Sequence, residues 1–308
     1  MAQHELDRRT RLTFASPLYS NRWYEGNAIL LAESIRTFGG TFSQNRILFL
    51  WPNSGEISQR VRERLLTLGA TILPVKKDEP TPDFPFADDV QAAAYAESSE
   101  LGNSDLMAWL GSDTIVLQEP KAFMLPTGKI LGFRPVHLTN IGSQFDSPLD
   151  PFWTAIYQRL KVPLDRVFRM KAHVEETPIR PYFNAGHLIV RPERRLLHEW
   201  RDAFFQIYDD AALQQFYRRD ENYSTYIHQA VLAGVVLSRL TTGEIQELPP
   251  EYNYPIHLYN QDNTRSRPSS LEELVTVRHH EFFEDPEWPK KIPAGESLKN
   301  WIRSRLHY

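Results

Sequence analysis

Four segments of this 308-residue chain carry side chains able to do chemistry, and each has a bland reading beside the functional one. In Trp109-Leu110-Gly111-Ser112-Asp113-Thr114 an acid stands where an apolar run ends. A carboxylate at the mouth of a water-free strand is costly unless a cation or hydrogen bonds compensate it. A divalent cation with diphosphate oxygens is one compensation. Capping of its own turn by Asp113 is the other. In Phe183-Asn184-Ala185-Gly186, Asn offers a donor and an acceptor, and Gly lets a ligand reach the backbone; the same residues also spell an ordinary turn. His279-His280 follows a short apolar run, with Glu281, Glu284 and Asp285 nearby. A neutral imidazole is a common metal ligand, but neighbouring strand residues point to opposite faces, so at most one histidine faces a site. Finally, His228 and Gln229 sit near the start of a helical pattern, where they face either a cleft or the core.

These residues need a frame. Leu12 to Ser16, Ile47 to Trp51 and Thr71 to Val75 read as buried strands. Between them, Asn27 is expected to cap a helix carrying Ala28, Leu31, Ile35 and Phe38, stopped by Gly39-Gly40. Ser54 is expected to cap a second helix carrying Ile57, Val61, Leu65 and Leu68, with Gly69 at its end. Alternating strands and helices imply a parallel sheet, with ligands at the carboxyl ends of its strands. Residues 76–86 read as a proline-rich loop and Ala87 to Ser99 as a helix. Further strands are expected at Leu106 to Leu110, Ile115 to Leu117, Lys129 to Arg134, Leu188 to Val190 and Val275 to Val277. Helices are expected at Pro151 to Leu160, through Leu196 to Ile207, and at Ser224 to Gly234. The last 70 or so residues read as a wrap around the sheet, and no linker divides the chain.

Composition narrows the chemistry. Lys and Arg number 35 against 39 Asp and Glu, so no basic surplus points to nucleic acid. There is no cysteine, which excludes disulfides, thiol nucleophiles and Cys-ligated zinc. The longest apolar stretch, Ala230 to Leu237, is far too short to span a membrane, and the charged N-terminus lacks a signal-peptide core; a cytoplasmic location is the expectation. The glycine-rich dinucleotide and P-loop runs, the Gly-x-Ser-x-Gly elbow and His-Glu-x-x-His are all missing. Aromatic residues make up 12% of the chain, which suits both a core and a sugar- or base-lined pocket.

The order of the segments is more telling than any one of them. A strand–helix–strand–helix–strand half precedes "LGSDTIVL", then "YFNAGHLIV", "HQAVL", "LPPEYNY" and a strand ending in histidine before "PEWP". Over residues 11 to 290 this resembles the glycogenin and bacterial galactosyltransferase-like glycosyltransferases of GT-A type. The resemblance implies an α/β, Rossmann-like mixed sheet with helices on both faces, in one unit over 1–308. That unit comprises a nucleotide-binding half (11–117), a donor and acceptor half (118–290) and a tail (291–308).

The resemblance also implies roles. Family members carry two acids in Tyr-Leu-Asp-x-Asp-Thr; here Gly111 takes the first place and Asp113 the second. A divalent ion, Mn²⁺ or Mg²⁺, is thereby implied on Asp113 with His279 as first candidate and His280 as second. The nucleotide sugar, UDP-linked by preference, is implied against Ala15, Ser16, Tyr19, Ser112, Asp113, Phe183 and Gly186, with Tyr19 stacking on the base. Asn184, His228 and Gln229 are implied at the reacting sugar. His228 replaces an acid there, leaving it a base or a hydrogen-bonding partner of phosphate. The acceptor, a saccharide, a protein or a small molecule, is implied over the C-terminal segment. The two missing acids keep a second reading open, a GT-A protein that binds nucleotide sugar or a partner without turnover. A nucleotidyltransferase ranks lower, because Ala15 to Gly26 has a single Gly.

Overall fold

The computed structural model describes residues 10–52, 55–76 and 82–306. The chain begins β1 (Leu12–Pro17), α1 (Arg22–Phe38), β2 (Arg46–Trp51), α2 (Gln59–Thr67), β3 (Ala70–Pro74) and α3 (Ala87–Glu100). It continues through β4 (Leu106–Leu110), β5 (Thr114–Val116), β6 (Leu131–Pro135), α4 (Pro151–Arg159), β7 (Met170–Lys171) and β8 (Pro178–Ile179). Next come β9 (Phe183–Val190), α5 (Leu196–Ile207), α6 (Ala211–Tyr217), α7 (Glu221–Arg239) and β10 (Ile245–Glu247). The last elements are β11 (Tyr254–Pro255), β12 (Thr276–Arg278), α8 (Trp288–Lys291) and α9 (Glu296–Arg303).

A seven-stranded sheet runs β10-β6-β9-β4-β1-β2-β3. Strands β4, β1, β2 and β3 are mutually parallel; β9 is antiparallel to both β4 and β6. Strand alternation sends the two sets of side chains to two cores. Phe14, Ile47, Phe49, Leu106 and Ala108 meet α1 and α2 through Ile29, Ala32, Ile35, Val61 and Leu65. Ala15, Leu48, Met107, Trp109, Leu188 and Val190 meet α3, α5 and α7 through Val90, Ala93, Trp200, Phe204 and Val231. Helices therefore cover both faces, and the buried parallel strands are apolar throughout for that reason. A third core joins β5, β11 and β12 to the C-terminal helices through Ile115, Val277, Phe283, Trp288 and Ile302.

Three sequence expectations are corrected. Helix α1 starts five residues before the expected cap at Asn27: Asn21 caps it, its Oδ1 accepting from Tyr24 N at 3.0 Å, and Asn27 is buried inside the helix. Ser54 lies outside the described residues, and Ser58 caps α2 by accepting from Val61 N. Phe183 to Gly186 is no turn but the first half of β9. Its backbone is claimed by neighbours, with Phe183 opposite Pro135 and Gly186 O accepting from Gly111 N at 2.7 Å. Ladder pairing overrides the turn preference of Asn and Gly.

Candidate functional site

At the carboxyl end of β4 the chain turns through Gly111-Ser112-Asp113-Thr114, closed by Thr114 N donating to Gly111 O at 3.1 Å. Asp113 is buried, yet its side chain does not cap this turn. One oxygen, Oδ1, lies 2.5 Å from Arg278 Nε; the other, Oδ2, accepts from the backbone N–H of His280 at 3.2 Å and stands 3.5 Å from its Nδ1. Strand geometry makes this possible: β12 pairs antiparallel with β5, setting Arg278 opposite Thr114. Burial pushes the Asp113 carboxyl up, but Arg278, with His280 and His279 behind it, holds it well below the usual carboxylate range.

A cleft of about 400 Å³ opens beside this turn. Its far wall is β9 and α7. Asn184 Oδ1 accepts from Gly186 N at 3.1 Å, and Gln229 Oε1 accepts from Ala185 N at 3.2 Å. Both amides thus use their oxygens internally; Asn184 Nδ2 also lies 3.5 Å from His137 Nε2, while the Gln229 NH₂ has no hydrogen bond among the described residues, and both side chains line the cleft. His228 stacks on Phe86 at 4.2 Å between ring centroids. Its Nδ1 lies 2.9 Å from Thr225 O, and a carbonyl can only accept, so the proton is on Nδ1. Burial lowers its pKa to about 3, so Nε2 presents a lone pair. A phosphate oxygen has no proton to offer that lone pair, whereas a sugar hydroxyl does. So low a pKa makes His228 a hydrogen-bond acceptor rather than a strong base.

The cleft gathers Ser112, Asp113, Asn184, Gly186, His228, Gln229 and His280 from the residues singled out in the sequence. The others lie elsewhere. Ala15 and Ser16 are walled inside the sheet, and Phe183 is core, edge-on to Phe133 at 4.7 Å. Tyr19 is not free to stack on a base, because its hydroxyl donates to Asp89 Oδ2 at 2.6 Å and its ring meets Tyr24. His279 turns away from the cleft. Its ring borders Trp23 and Phe283 and lines a separate cavity of about 430 Å³, and neither ring nitrogen has a partner among the described residues. Adjacent strand-end residues diverge, and His280 has a left-handed backbone (φ 47°) that throws its ring to the other side.

Sequence reasoning missed Trp23, Tyr24, Asp89, His137, His257 and Arg278, all of which line the cleft. Burial raises Asp89 to about 6, with the Tyr19 hydrogen bond only partly opposing it. His257 meets His280 edge-on at 4.1 Å, and burial and that neighbour lower it to about 4. Burial, then Arg278, takes His137 well below its ordinary value. Arg278 had one usable signal: a cation closing a β-branched strand, which needs an anion if that strand is covered.

The expected Mn²⁺ or Mg²⁺ site does not fit these residues. Gly111 contributes no carboxylate, Asp113 has both oxygens engaged by Arg278 and His280, and His279 faces another cavity. Among the described residues no group of three or more His, Asp or Glu is set to hold a metal ion.

Sheet order, covering helices and a cleft at the strand ends define the GT-A class of glycosyltransferase folds. Residues 18–239 match the model of the Rhodobacterales glycosyltransferase domain, and the chain belongs to that family. Among solved structures it is similar to galactosyltransferase LgtC in complex with donor and acceptor sugar analogues, at 14% identity and a TM-score of 0.50, over 94% of this chain and 99% of that one. An active-site mutant of LgtC gives 14% and 0.52 over 96% of each chain. The bifunctional glycosyltransferase WbbM in its apo form gives 13% and 0.53 over all of this chain and 53% of that one. No curated protein matches the chain. Among the described residues no helix is long and apolar enough to cross a membrane.

Proposed function

We propose that this glycosyltransferase takes its sugar from a nucleotide-diphosphate donor held in the cleft beside Asp113, UDP being the first nucleotide to test. The observation that carries this reading is convergence. One cleft of small-molecule size receives the β4 turn, the amide wall of β9 and α7, and the aromatic pair Trp23 and Tyr24. The aromatic pair offers a face for the base, and the turn with Arg278 an anchor for the diphosphate. The donor analogue bound by LgtC supports the same class of ligand.

Each polar group then has a task set by its free atoms. Asn184 and Gln229 donate through their NH₂ groups to oxygens of the transferred sugar. His228 Nε2 accepts from a sugar hydroxyl and fixes the ring. Asp89, accepting from the Tyr19 hydroxyl and lifted to about 6, accepts from a hydroxyl of sugar or acceptor. The acceptor approaches over His257 and His280, the C-terminal side of the cleft. No step passes through a metal ion.

Nucleotide release from a panel of UDP-hexoses tests the reading. Turnover with one of them is expected. In His228→Ala, loss of one hydrogen bond lowers kcat about tenfold while UDP affinity holds. An affinity loss as large as the loss of turnover would show His228 on the nucleotide instead. Nucleotide binding with no release from any donor would establish the non-turnover reading that the missing acids leave open.

A further inference from the structure

The disagreement over the metal points to a replacement. We propose that Arg278, in place of a bound divalent cation, supplies the positive charge that holds the donor diphosphate, so that nucleotide binding needs no metal. This rests on the donor reading above.

Space is the first argument. The guanidinium enters between two glycines. A Cβ on Gly111 would stand 2.7 Å from Arg278 Cζ and 2.9 Å from Nη1, and one on Gly186 would collide with Nη1. A side chain at position 111 would therefore push the guanidinium out of the place it now holds beside Asp113. Charge is the second argument. Arg278 is the only Lys or Arg lining the cleft among the described residues, and a guanidinium does not deprotonate in proteins. Asp113 pairs with its inner edge, Oδ1 lying 2.5 Å from Nε, and leaves the terminal nitrogens to face the diphosphate.

Free donors are the third argument. Neither terminal nitrogen of Arg278 has a hydrogen bond among the described residues, and the side chain, 15% exposed, opens to the cleft. A planar fork with unpaired N–H groups matches two oxygens of a phosphate. A divalent ion, by contrast, would have to displace a guanidinium from Asp113, and the other carboxylate of the cleft, Asp89, already accepts from the Tyr19 hydroxyl.

Calorimetric titration of the full chain with UDP, GDP, dTDP and ADP, in EDTA and again in excess Mn²⁺, decides the matter. At least one nucleotide is expected to bind in EDTA as tightly as in Mn²⁺. The double variant Asp113→Asn/Arg278→Gln removes both charges of the ion pair together and is expected to keep the wild-type circular dichroism. It should lose about 10- to 150-fold in that affinity, the worth of one charge-assisted contact. Conversely, Gly111→Asp/Arg278→Ala restores a second acid and clears the guanidinium, so its nucleotide binding should become Mn²⁺-dependent. Binding by the wild-type chain only in Mn²⁺ would overturn the inference and leave the donor reading standing. A double variant that binds as well as wild type in EDTA would also overturn it. Binding of none of the four nucleotides in either buffer would remove both.

Discussion

Asp113 and Glu97 are both buried carboxylates, 2% and 1% exposed, and their fates are opposite. Asp113 meets a full cation, Arg278, which holds it charged against the cost of burial. Glu97, on α3, is hydrogen-bonded by the backbone N–H groups that open α5, accepting from Leu197 N at 3.1 Å and His198 N at 2.8 Å, with Arg195 acting on it only as a weaker charge. There burial wins and lifts the carboxyl to about 7. Helix N–H groups carry partial charge and offset only part of the desolvation that a guanidinium overcomes. The first carboxylate builds a site. The second builds the fold, capping a helix whose own N-cap, Arg195 at φ 53°, supplies no side-chain bond.

The largest test of this contrast removes the cation. Arg278→Ala leaves Asp113 charged, buried and unpaired, and should cost about 3–5 kcal/mol in urea denaturation. Asp113→Asn should cost clearly less, because Arg278 can turn its charge toward the open cleft. Equal losses would mean that the pair is no more than a packing contact. The sign with pH follows from the lowered Asp113 value. Its contribution is complete above the ordinary carboxylate range and is lost as pH falls below it.

Glu97 should behave in reverse. Its folded value is raised, so its contribution is complete below about pH 4.3 and is lost as pH rises through about 7. Within that window wild-type stability should fall, relative to Glu97→Gln, on the order of 1.4 kcal/mol per pH unit. Denaturation midpoints of the two proteins at pH 5, 6, 7 and 8 measure the gap. A gap that stays constant or widens with pH would place the carboxyl in its charged form and erase the contrast with Asp113.

The same physics decides what could be read in the chain. The β1–α1–β2–α2–β3 alternation was legible because strands covered on both faces are apolar without a break, as in Leu48, Phe49 and Leu50. The turn at Asp113, the Asn184–Gly186 segment and the His228–Gln229 pair stood out as local polar groups in apolar surroundings. What stayed hidden is set by partners distant in sequence. Arg278 shows only as a cation closing a β-branched strand, with no sign of its partner, until β12 lies beside β5 and brings it between Gly111 and Gly186. Glu97 reads as one more helix acid until α5 starts above it. Which of two adjacent histidines faces the cleft rests on one positive φ at His280, and no residue-type preference announces that.

Asn21 extends the comparison to its weak end. Here a neutral amide oxygen accepts one N–H, that of Tyr24 at 3.0 Å, at an exposed helix start. With neither charge nor burial, its worth should be the smallest of the three. Asn21→Ala should cost about 1 kcal/mol, read as a shift in denaturation midpoint with unchanged slope. Asn27, the residue that resembled the cap, is buried within α1 with its Nδ2 unpartnered, so it stabilises no helix end. Asn27→Ala should therefore cost less than a cap or even stabilise the chain, because it removes an unsatisfied donor along with a little packing. If the two substitutions came out in the opposite order, the start of α1 would lie near Ala28 as the sequence first suggests, and Trp23 and Tyr24 would no longer be held on a helix against the cleft.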